Sequence, residues 1–327
     1  MNVLVSIQQP VRAWTIPPPQ VERLRRTFPG HTFIHAQDDR AVRHGLSEAD
    51  VAFTWFLDAA LLPHARALRW VHSSAVAVGT LPLRDLAARG IVVTNSRGVQ
   101  STAIAEHVMG CLLALARRLP ACVRRQEARV WAQNEMVDET SPWLIQGRRM
   151  GIIGLGTIGR AVAERAAAFG MEVLAVRRRP ERGGSPGVGR IVGPSEAGDV
   201  IAASDVLVLA APWTHATDRL LDERTLARMK PGAVLINVAR GQLVDETALA
   251  AALVSGRLAG AALDVFMEEP LPPSSPFWSL PNVIVTPHTS GFRADHWDAV
   301  IDLFEDQFRR FLDGRPLLNV VDCEAGY

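Results

Sequence analysis

From Asn2 to Gly90 short apolar runs, such as Val3-Leu4-Val5 and Val51-Ala52-Phe53, alternate with helix-period stretches, such as Val21 to Arg26 and Leu83 to Arg89. This predicts a small α/β unit. Ser101 to Arg118 is the longest helical pattern, with Ile104, Val108, Cys111, Leu112 and Leu115 on one face, and Asn95 to Gln100 forms a hinge before it. Arg117, Arg118, Arg124, Arg125 and Arg129 cluster on a second helix, which reads as a solvated face or a subunit contact. After Gly147 the pattern becomes regular. Strands are predicted at Met150 to Ile153, Glu172 to Val176, Asp205 to Ala210, Ala233 to Val238, Gly260 to Leu263 and Val283 to Thr286, with helices at Thr157 to Phe169 and Glu246 to Val254. Such alternation means right-handed crossovers and a parallel sheet. Arg182 to Gly193 reads as a Gly-rich surface loop, and Asp295 to Leu312 as a long amphipathic helix that returns to the N-terminal unit.

Composition removes several chemistries. The 327 residues carry 35 Lys+Arg against 34 Asp+Glu, for a formal net charge of +1, and 48% are hydrophobic. That length suits two domains, and a near-zero charge gives no field to gather nucleic acid or an anionic membrane. Lys230 is the only lysine and Tyr327 the only tyrosine, which excludes a Walker loop and a Tyr/Lys acid pair. Cys111, Cys122 and Cys323 are too few and too scattered for a disulfide framework or a thiolate zinc site, so no metal is expected. Glu106 and His107 interrupt the most apolar stretch, and Met1 to Gln9 alternates like a first strand rather than a secretory signal. The expected location is the cytoplasm.

Gly154-Leu155-Gly156-Thr157-Ile158-Gly159 follows a predicted strand and opens a predicted helix. Gly154 permits the tight turn, Gly156 lets a pyrophosphate approach the backbone, and Gly159 lets helix pack on strand. The next strand ends Val176-Arg177-Arg178-Arg179, without the acid that would bind a ribose 2′-hydroxyl. A guanidinium there pairs with a 2′-phosphate, which favours NADP(H) over the alternative, NAD(H).

Three segments follow later strands: Asn237-Val238-Ala239-Arg240-Gly241, Asp264 to Pro270, and Thr286-Pro287-His288-Thr289-Ser290-Gly291. Hydride addition to a 2-oxo acid needs a cation for the carboxylate and carbonyl, and a proton donor for the carbonyl oxygen. Arg240 suits the first task and His288 the second, with Glu269 orienting His288 and favouring its protonated form. His72, His107, His215 and His296 lack such a setting and read as structural.

These motifs resemble the D-isomer-specific 2-hydroxyacid dehydrogenase family, across essentially the whole chain and most strongly from Ala105-Glu106-His107 through Gly291. The resemblance implies two Rossmann-like α/β domains with doubly wound parallel sheets. A discontinuous substrate domain, residues 1–98 and 293–327, flanks a dinucleotide-binding domain, residues 99–292. It also implies a homodimer and a cleft that closes on ligand. By motif, Arg240, Glu269 and His288 match the family's catalytic set. Ser101, Thr157, Ile158, Arg177, Pro212, Val238, Asp264 and Ser290 match positions that meet the cofactor. One departure stands out: family members commonly carry a Gly-x-Gly-Val-Asp loop that binds substrate carboxylate, where this chain reads Ala75-Val76-Ala77-Val78-Gly79. Val76 and Ala77 keep their backbone donors, but a turn needing positive φ would be strained there. The chain ends soon after the last helix, which argues against an allosteric phosphoglycerate enzyme. The expected activity is reduction of small 2-oxo acids of the glyoxylate or hydroxypyruvate type to D-2-hydroxy acids. A dinucleotide-sensing corepressor-like scaffold and a formate-type dehydrogenase are the alternatives.

Overall fold

In a computed structural model, which describes residues 1–138 and 142–326, the chain divides into two units: residues 1–99 with 293–327, and residues 100–292. The first unit builds β1 (Asn2–Ser6), α1 (Pro18–Thr27), β2 (Thr32–His35), α2 (Asp39–Glu48), β3 (Val51–Thr54), β4 (Trp70–Ser73), α3 (Leu83–Ala88) and β5 (Val92–Asn95). All strands run parallel in the order β2-β1-β3-β4-β5. The second unit builds α4 (Ser101–Ala116), α5 (Leu119–Glu127), α6 (Gln133–Asp138), β6 (Arg149–Ile153), α7 (Thr157–Ala168), β7 (Glu172–Val176), β8 (Arg190–Val192) and α8 (Ala197–Ala203). It continues with β9 (Val206–Leu209), α9 (Glu223–Arg228), β10 (Ala233–Asn237), α10 (Glu246–Val254), β11 (Leu258–Leu263) and β12 (Val283–Val285). Its seven strands are also all parallel, in the order β12-β11-β10-β9-β6-β7-β8. The last helix, α11 (His296–Leu312), belongs to the first unit.

Strands such as β3 and β10 are buried at every position, because helices cover both faces of each sheet. Period-2 alternation therefore sorts residues between two cores rather than between core and water. In β6, Met150 and Ile152 join one core with α4 and α7, while Ile153 joins the other, beside β9 residues Leu207 and Leu209. This also corrects the reading of β1 as an alternating strand: Val3, Leu4 and Val5 are all buried.

α11 presents Val300, Phe304 and Phe308 on one face to the first sheet. Phe304 stacks on Phe53 at 4.2 Å between ring centroids and on Trp70 at 5.6 Å. Truncating a ring so enclosed costs about 3–5 kcal/mol. Buried Glu305 is compensated by Arg23 at 3.0 Å and Arg309 at 3.1 Å.

Two further expectations need correction. The 182–193 loop contains β8, a three-residue strand too short to register as a periodic pattern. The α5 arginines are not all helical: Arg118 and Arg129 flank it with φ of 59° and 56°. No helix among the described residues is long and apolar enough to cross a membrane, and they hold no cluster of three metal-ligating side chains.

Candidate active site

In a fully parallel sheet every strand ends on the same edge, so the loops after β6, β7, β9, β10, β11 and β12 open on one side of the second unit. The chain enters the sheet at β6 and later returns to its other flank at β9, so the order reverses beside β6. Ligands of open α/β sheets bind at such a reversal.

The turn after β6 has a geometry that only glycine permits. Gly154 has φ of +104°, and a Cβ on it would lie 2.6 Å from the Ala211 nitrogen. A Cβ on Gly159 would lie 2.2 Å from the Gly154 carbonyl oxygen, so α7 could not seat against the strand end. Gly156 has nothing within 4 Å of such a Cβ, and as the residue capping α7 it brings no side chain to the helix's free N–H groups, Thr157 and Ile158 following it. Open space before an uncapped helix start is a cradle for phosphate. The buried Ser101 hydroxyl, at the start of α4, has no hydrogen-bond partner among the described residues, as expected of a group kept for a ligand. These features fit a dinucleotide. Arg177 follows β7, with Nη1 donating to the Gly183 carbonyl at 3.2 Å. Pro212 lies beyond β9, where its carbonyl accepts from Thr217 Oγ1 at 2.8 Å.

After β10, Asn237 shapes the loop bearing Arg240. It is 1% exposed, its Nδ2 donates to the Arg240 carbonyl at 2.9 Å, and its Oδ1 accepts from the Ala239 amide at 3.1 Å. Buried Val238 lies between them in sequence. Half-buried Arg240 donates from Nη1 to the Ala239 carbonyl at 2.5 Å and makes no ion pair at contact distance with any described carboxylate. Burial lowers its pKa and the charge of Glu269 opposes this. A guanidinium remains protonated throughout the ordinary pH range, so this is a partly desolvated cation with donors to spare.

The loops after β11 and β12 interlock. Buried Asp264 accepts from Thr286 Oγ1 at 2.6 Å, the Thr289 amide at 2.9 Å and the Ser290 amide at 3.0 Å. His288 lies within the segment so held, its φ of 53° in the left-handed region, with its own N–H donating to the Asp264 and Thr286 carbonyls at 2.9 and 3.0 Å. Backbone in that region persists for a non-glycine residue only when its surroundings over-determine it. His288 Nδ1 meets Glu269 Oε2 at 2.7 Å, while Glu269 Oε1 accepts from the Phe266 amide at 3.0 Å. Burial pushes the Glu269 carboxyl up, but the bonds from His288 and Phe266, with the charges of His288 and Arg240, bring it net below its ordinary value. It is therefore ionised at neutral pH, and Nε2 of His288 is left for other chemistry.

Several participants have no local signature. Glu246, at the start of α10, accepts from the Met267 amide at 2.7 Å. Burial and the charge of Glu269 raise its carboxyl against that bond. Gly241 lies so near the 266–267 peptide that a Cβ would come within 2.0 Å of the Phe266 carbonyl carbon. His107, read as structural, borders the site through Thr286 Oγ1 at 3.3 Å and Cys111 at 3.5 Å. Burial pushes the Cys111 thiol up to about 11, so it is no nucleophile at neutral pH.

In the first unit, Ala75 to Val78 adopt no positive φ, so the expected strain of the non-glycine loop does not arise.

Residues 109–290 match the family model described as D-isomer specific 2-hydroxyacid dehydrogenase, NAD binding domain. A glyoxylate/hydroxypyruvate reductase A of Arabidopsis thaliana is 36% identical over 264 residues, covering 81% of this chain and 82% of the relative. A glyoxylate reductase of Korarchaeum cryptofilum is 34% identical over 271 residues, covering 82% of this chain and 80% of the relative. Among solved structures, a D-isomer specific 2-hydroxyacid dehydrogenase from Xanthobacter autotrophicus, in complex with NADPH and MES, superposes with a TM-score of 0.83 at 30% identity, covering 100% of this chain and 99% of the other.

Proposed function

The chain belongs to the D-isomer-specific 2-hydroxyacid dehydrogenase family of nicotinamide-dependent oxidoreductases, and on that premise we propose that it reduces glyoxylate- or hydroxypyruvate-type 2-oxo acids to D-2-hydroxy acids. The observation that carries this reading is the 2.7 Å His288–Glu269 pair on the same strand-end edge as the partly desolvated Arg240.

The dinucleotide, when bound, supplies the hydride that reduces the carbonyl carbon. Gly154, Gly156, Thr157, Ile158 and Gly159 cradle its pyrophosphate, with Ser101, Pro212, Val238, Asp264 and Ser290 lining the remainder. Arg177 pairs with a 2′-phosphate, which makes NADP(H) the preferred form over NAD(H). Arg240 binds the substrate carboxylate and polarises the carbonyl. The amides of Val76 and Ala77 are the substrate donors that the first unit offers. Protonated His288 gives its proton to the carbonyl oxygen, completing the hydroxyl, while Glu269 holds the ring and stabilises its charge. Charge balances, because one hydride and one proton convert the ketone or aldehyde to an alcohol. The enzyme is cytoplasmic and acts as a homodimer, for which the exposed apolar side chains of Leu119, Val123 and Trp131 along α5 and after it offer surface.

Steady-state reduction of glyoxylate and hydroxypyruvate, followed in the reduced nicotinamide absorbance band, tests the assignment. His288→Ala should abolish turnover while NADPH still binds. Arg240→Ala should lower kcat/KM on the order of a hundredfold or more, the loss of a charge-assisted contact to a desolvated anion. Near-full activity of His288→Ala would remove the assigned acid. Tight NADPH binding with no turnover of any 2-oxo acid by the wild type would point to a dinucleotide-sensing scaffold instead.

A further inference from the structure

In the 75–78 loop, carbonyls are tied down from one side and amides are left open on the other. The Ala75 carbonyl accepts from the Ser96 amide at 3.2 Å, and the Val76 carbonyl accepts from Asn95 Nδ2 at 2.8 Å. The Ala75 amide is taken by Ser73 Oγ at 3.2 Å, and the Val78 carbonyl by the Leu81 amide at 3.0 Å. The amides of Val76 and Ala77 meet no acceptor among the described residues, and Ala77 is exposed. In a trans peptide the N–H points opposite to the C=O. Tying the Ala75 and Val76 carbonyls to the end of β5 therefore aims two successive N–H groups away from β5, side by side, like a small anion-binding nest made without glycine.

Of the two ties, the one to Val76 depends on a side chain, and that side chain is itself clamped. The Asn95 amide donates to the Asn319 carbonyl at 3.2 Å, and Asn319 Nδ2 donates to the carbonyls of Asn95 at 3.2 Å and Arg97 at 2.8 Å. Asn95 Oδ1 accepts from the Arg97 amide at 3.3 Å, which fixes its amide orientation. Asn319 sits at φ of 54°, a conformation asparagine tolerates better than most residues. Its neighbour Leu318 exchanges two hydrogen bonds, of 2.6 and 2.8 Å, with the fully buried Gln307 of α11.

We propose that Asn95, clamped by Asn319, is a positioning residue that aims the Ala77 amide at the carboxylate of the 2-oxo acid. The inference rests on the proposed function, in which that amide is a substrate donor. It gives the C-terminal segment a task in substrate affinity: α11 anchors Leu318, Asn319 holds Asn95, and Asn95 sets the substrate loop where glycine is missing.

Glyoxylate is the probe, with KM and kcat measured separately and NADPH affinity measured by titration calorimetry. Asn95→Ala should raise KM for glyoxylate about tenfold with kcat within about twofold, the pattern of a lost ground-state and transition-state contact, and leave NADPH affinity unchanged. Asn319→Gly keeps the backbone conformation and the carbonyl that accepts from the Asn95 amide but removes the two side-chain bonds of the clamp, and should raise KM several-fold in the same pattern. Ala77→Pro deletes the N–H itself and should raise KM at least as far as Asn95→Ala. Unchanged KM in Ala77→Pro would overturn the carboxylate assignment of the loop. Raised KM in Ala77→Pro with unchanged KM in both Asn95→Ala and Asn319→Gly would overturn the positioning role alone. Should Asn95→Ala fail to fold, Asn319→Gly decides by the same criterion.

Discussion

Gly241→Ala tests whether the loop bearing Glu269 must stay where it is. A Cβ at this position would lie 2.0 Å from the Phe266 carbonyl carbon and 2.3 Å from the Met267 nitrogen, whereas ordinary contact begins at 3.4 Å. The 266–267 peptide must then retreat by about 1.4 Å, and because both neighbours are backbone no side-chain rotation relieves the clash. The retreat moves the Met267 N–H that Glu246 accepts at 2.7 Å and drags the adjoining Phe266 N–H, which anchors Glu269 Oε1 at 3.0 Å, and with it the Oε2 that meets His288 at 2.7 Å. A misplacement of about 1 Å in a catalytic constellation costs on the order of a hundredfold in rate, or about 2.7 kcal/mol, and overpacking costs about 1–3 kcal/mol of stability. Expected, then, is a folded protein whose kcat/KM for glyoxylate falls about a hundredfold while NADPH affinity stays within about twofold. Gly110→Ala is the control: its Cβ enters open space on α4 and should leave activity intact while stabilising the helix by up to about 1 kcal/mol. Gly241→Ala with wild-type kcat/KM would show that the Glu269 loop need not be held by its approach to the Arg240 loop.

Arg177→Asp should move dinucleotide preference from NADP toward NAD, read as the ratio of kcat/KM for the two, and an unchanged ratio would leave Arg177 without a role in selecting the phosphate. For the proposed homodimer, Trp131→Glu, at a side chain 90% exposed, should give a monomer by light scattering, and a mass equal to that of the wild type would remove Trp131 from the subunit contact. Burial depresses His72 to about 3 and His296 to about 4 from the ordinary 6.5, with Arg293 lowering His296 further and Asp295 opposing. Both are neutral in the fold, so their stability contribution is complete above pH 6.5 and is lost as pH falls toward 3 and 4, by up to about 1.4 kcal/mol per pH unit for each imidazole. Denaturant unfolding at stepped pH measures this, and a flat profile between pH 6.5 and 4 would contradict the burial of both rings.

The parallel-sheet architecture is legible because β6, β7, β9 and β10 are nearly continuous apolar runs at regular spacing, each bounded at one end or both by a glycine or polar residue. β8 is not, since three residues between glycine-rich segments carry no period and acquire strand geometry only by pairing with β7. Arg240, Glu269 and His288 are conspicuous as candidates because their chemistry resides in side chains on the loops that follow strands. That Glu269 and His288 touch is a fact of the fold, 19 positions apart in sequence and brought together by the pairing of β11 with β12. Asn95, Asn237 and Glu246 escape notice for the opposite reason: each acts on a backbone group, and which amide or carbonyl a short polar side chain will meet depends on loops that a linear pattern does not specify.

Asp264 shows how far this second kind of residue reaches. The family resemblance marks it as a candidate for the cofactor, and its oxygens take the Thr286 hydroxyl and the amides of Thr289 and Ser290. These bonds bracket His288 on both sides and leave its backbone no freedom to relax from φ of 53°. Asn237 does the same for Arg240 one strand away, and the Asn237 carbonyl accepts the Asp264 amide at 3.0 Å, so the two brackets are joined. His288 and Arg240 are thus referred to one backbone frame. A change at Asp264 must therefore disturb His288 before it disturbs any ligand. In Asp264→Asn one carboxylate oxygen becomes an amide N–H₂, which cannot accept, so at least one of the three donors loses its partner, at about 1–3 kcal/mol for a buried group. The predicted signature is a fall in kcat larger than the fall in NADPH affinity. Equal losses in both would mean that Asp264 serves the dinucleotide directly and that the bracket around His288 is incidental.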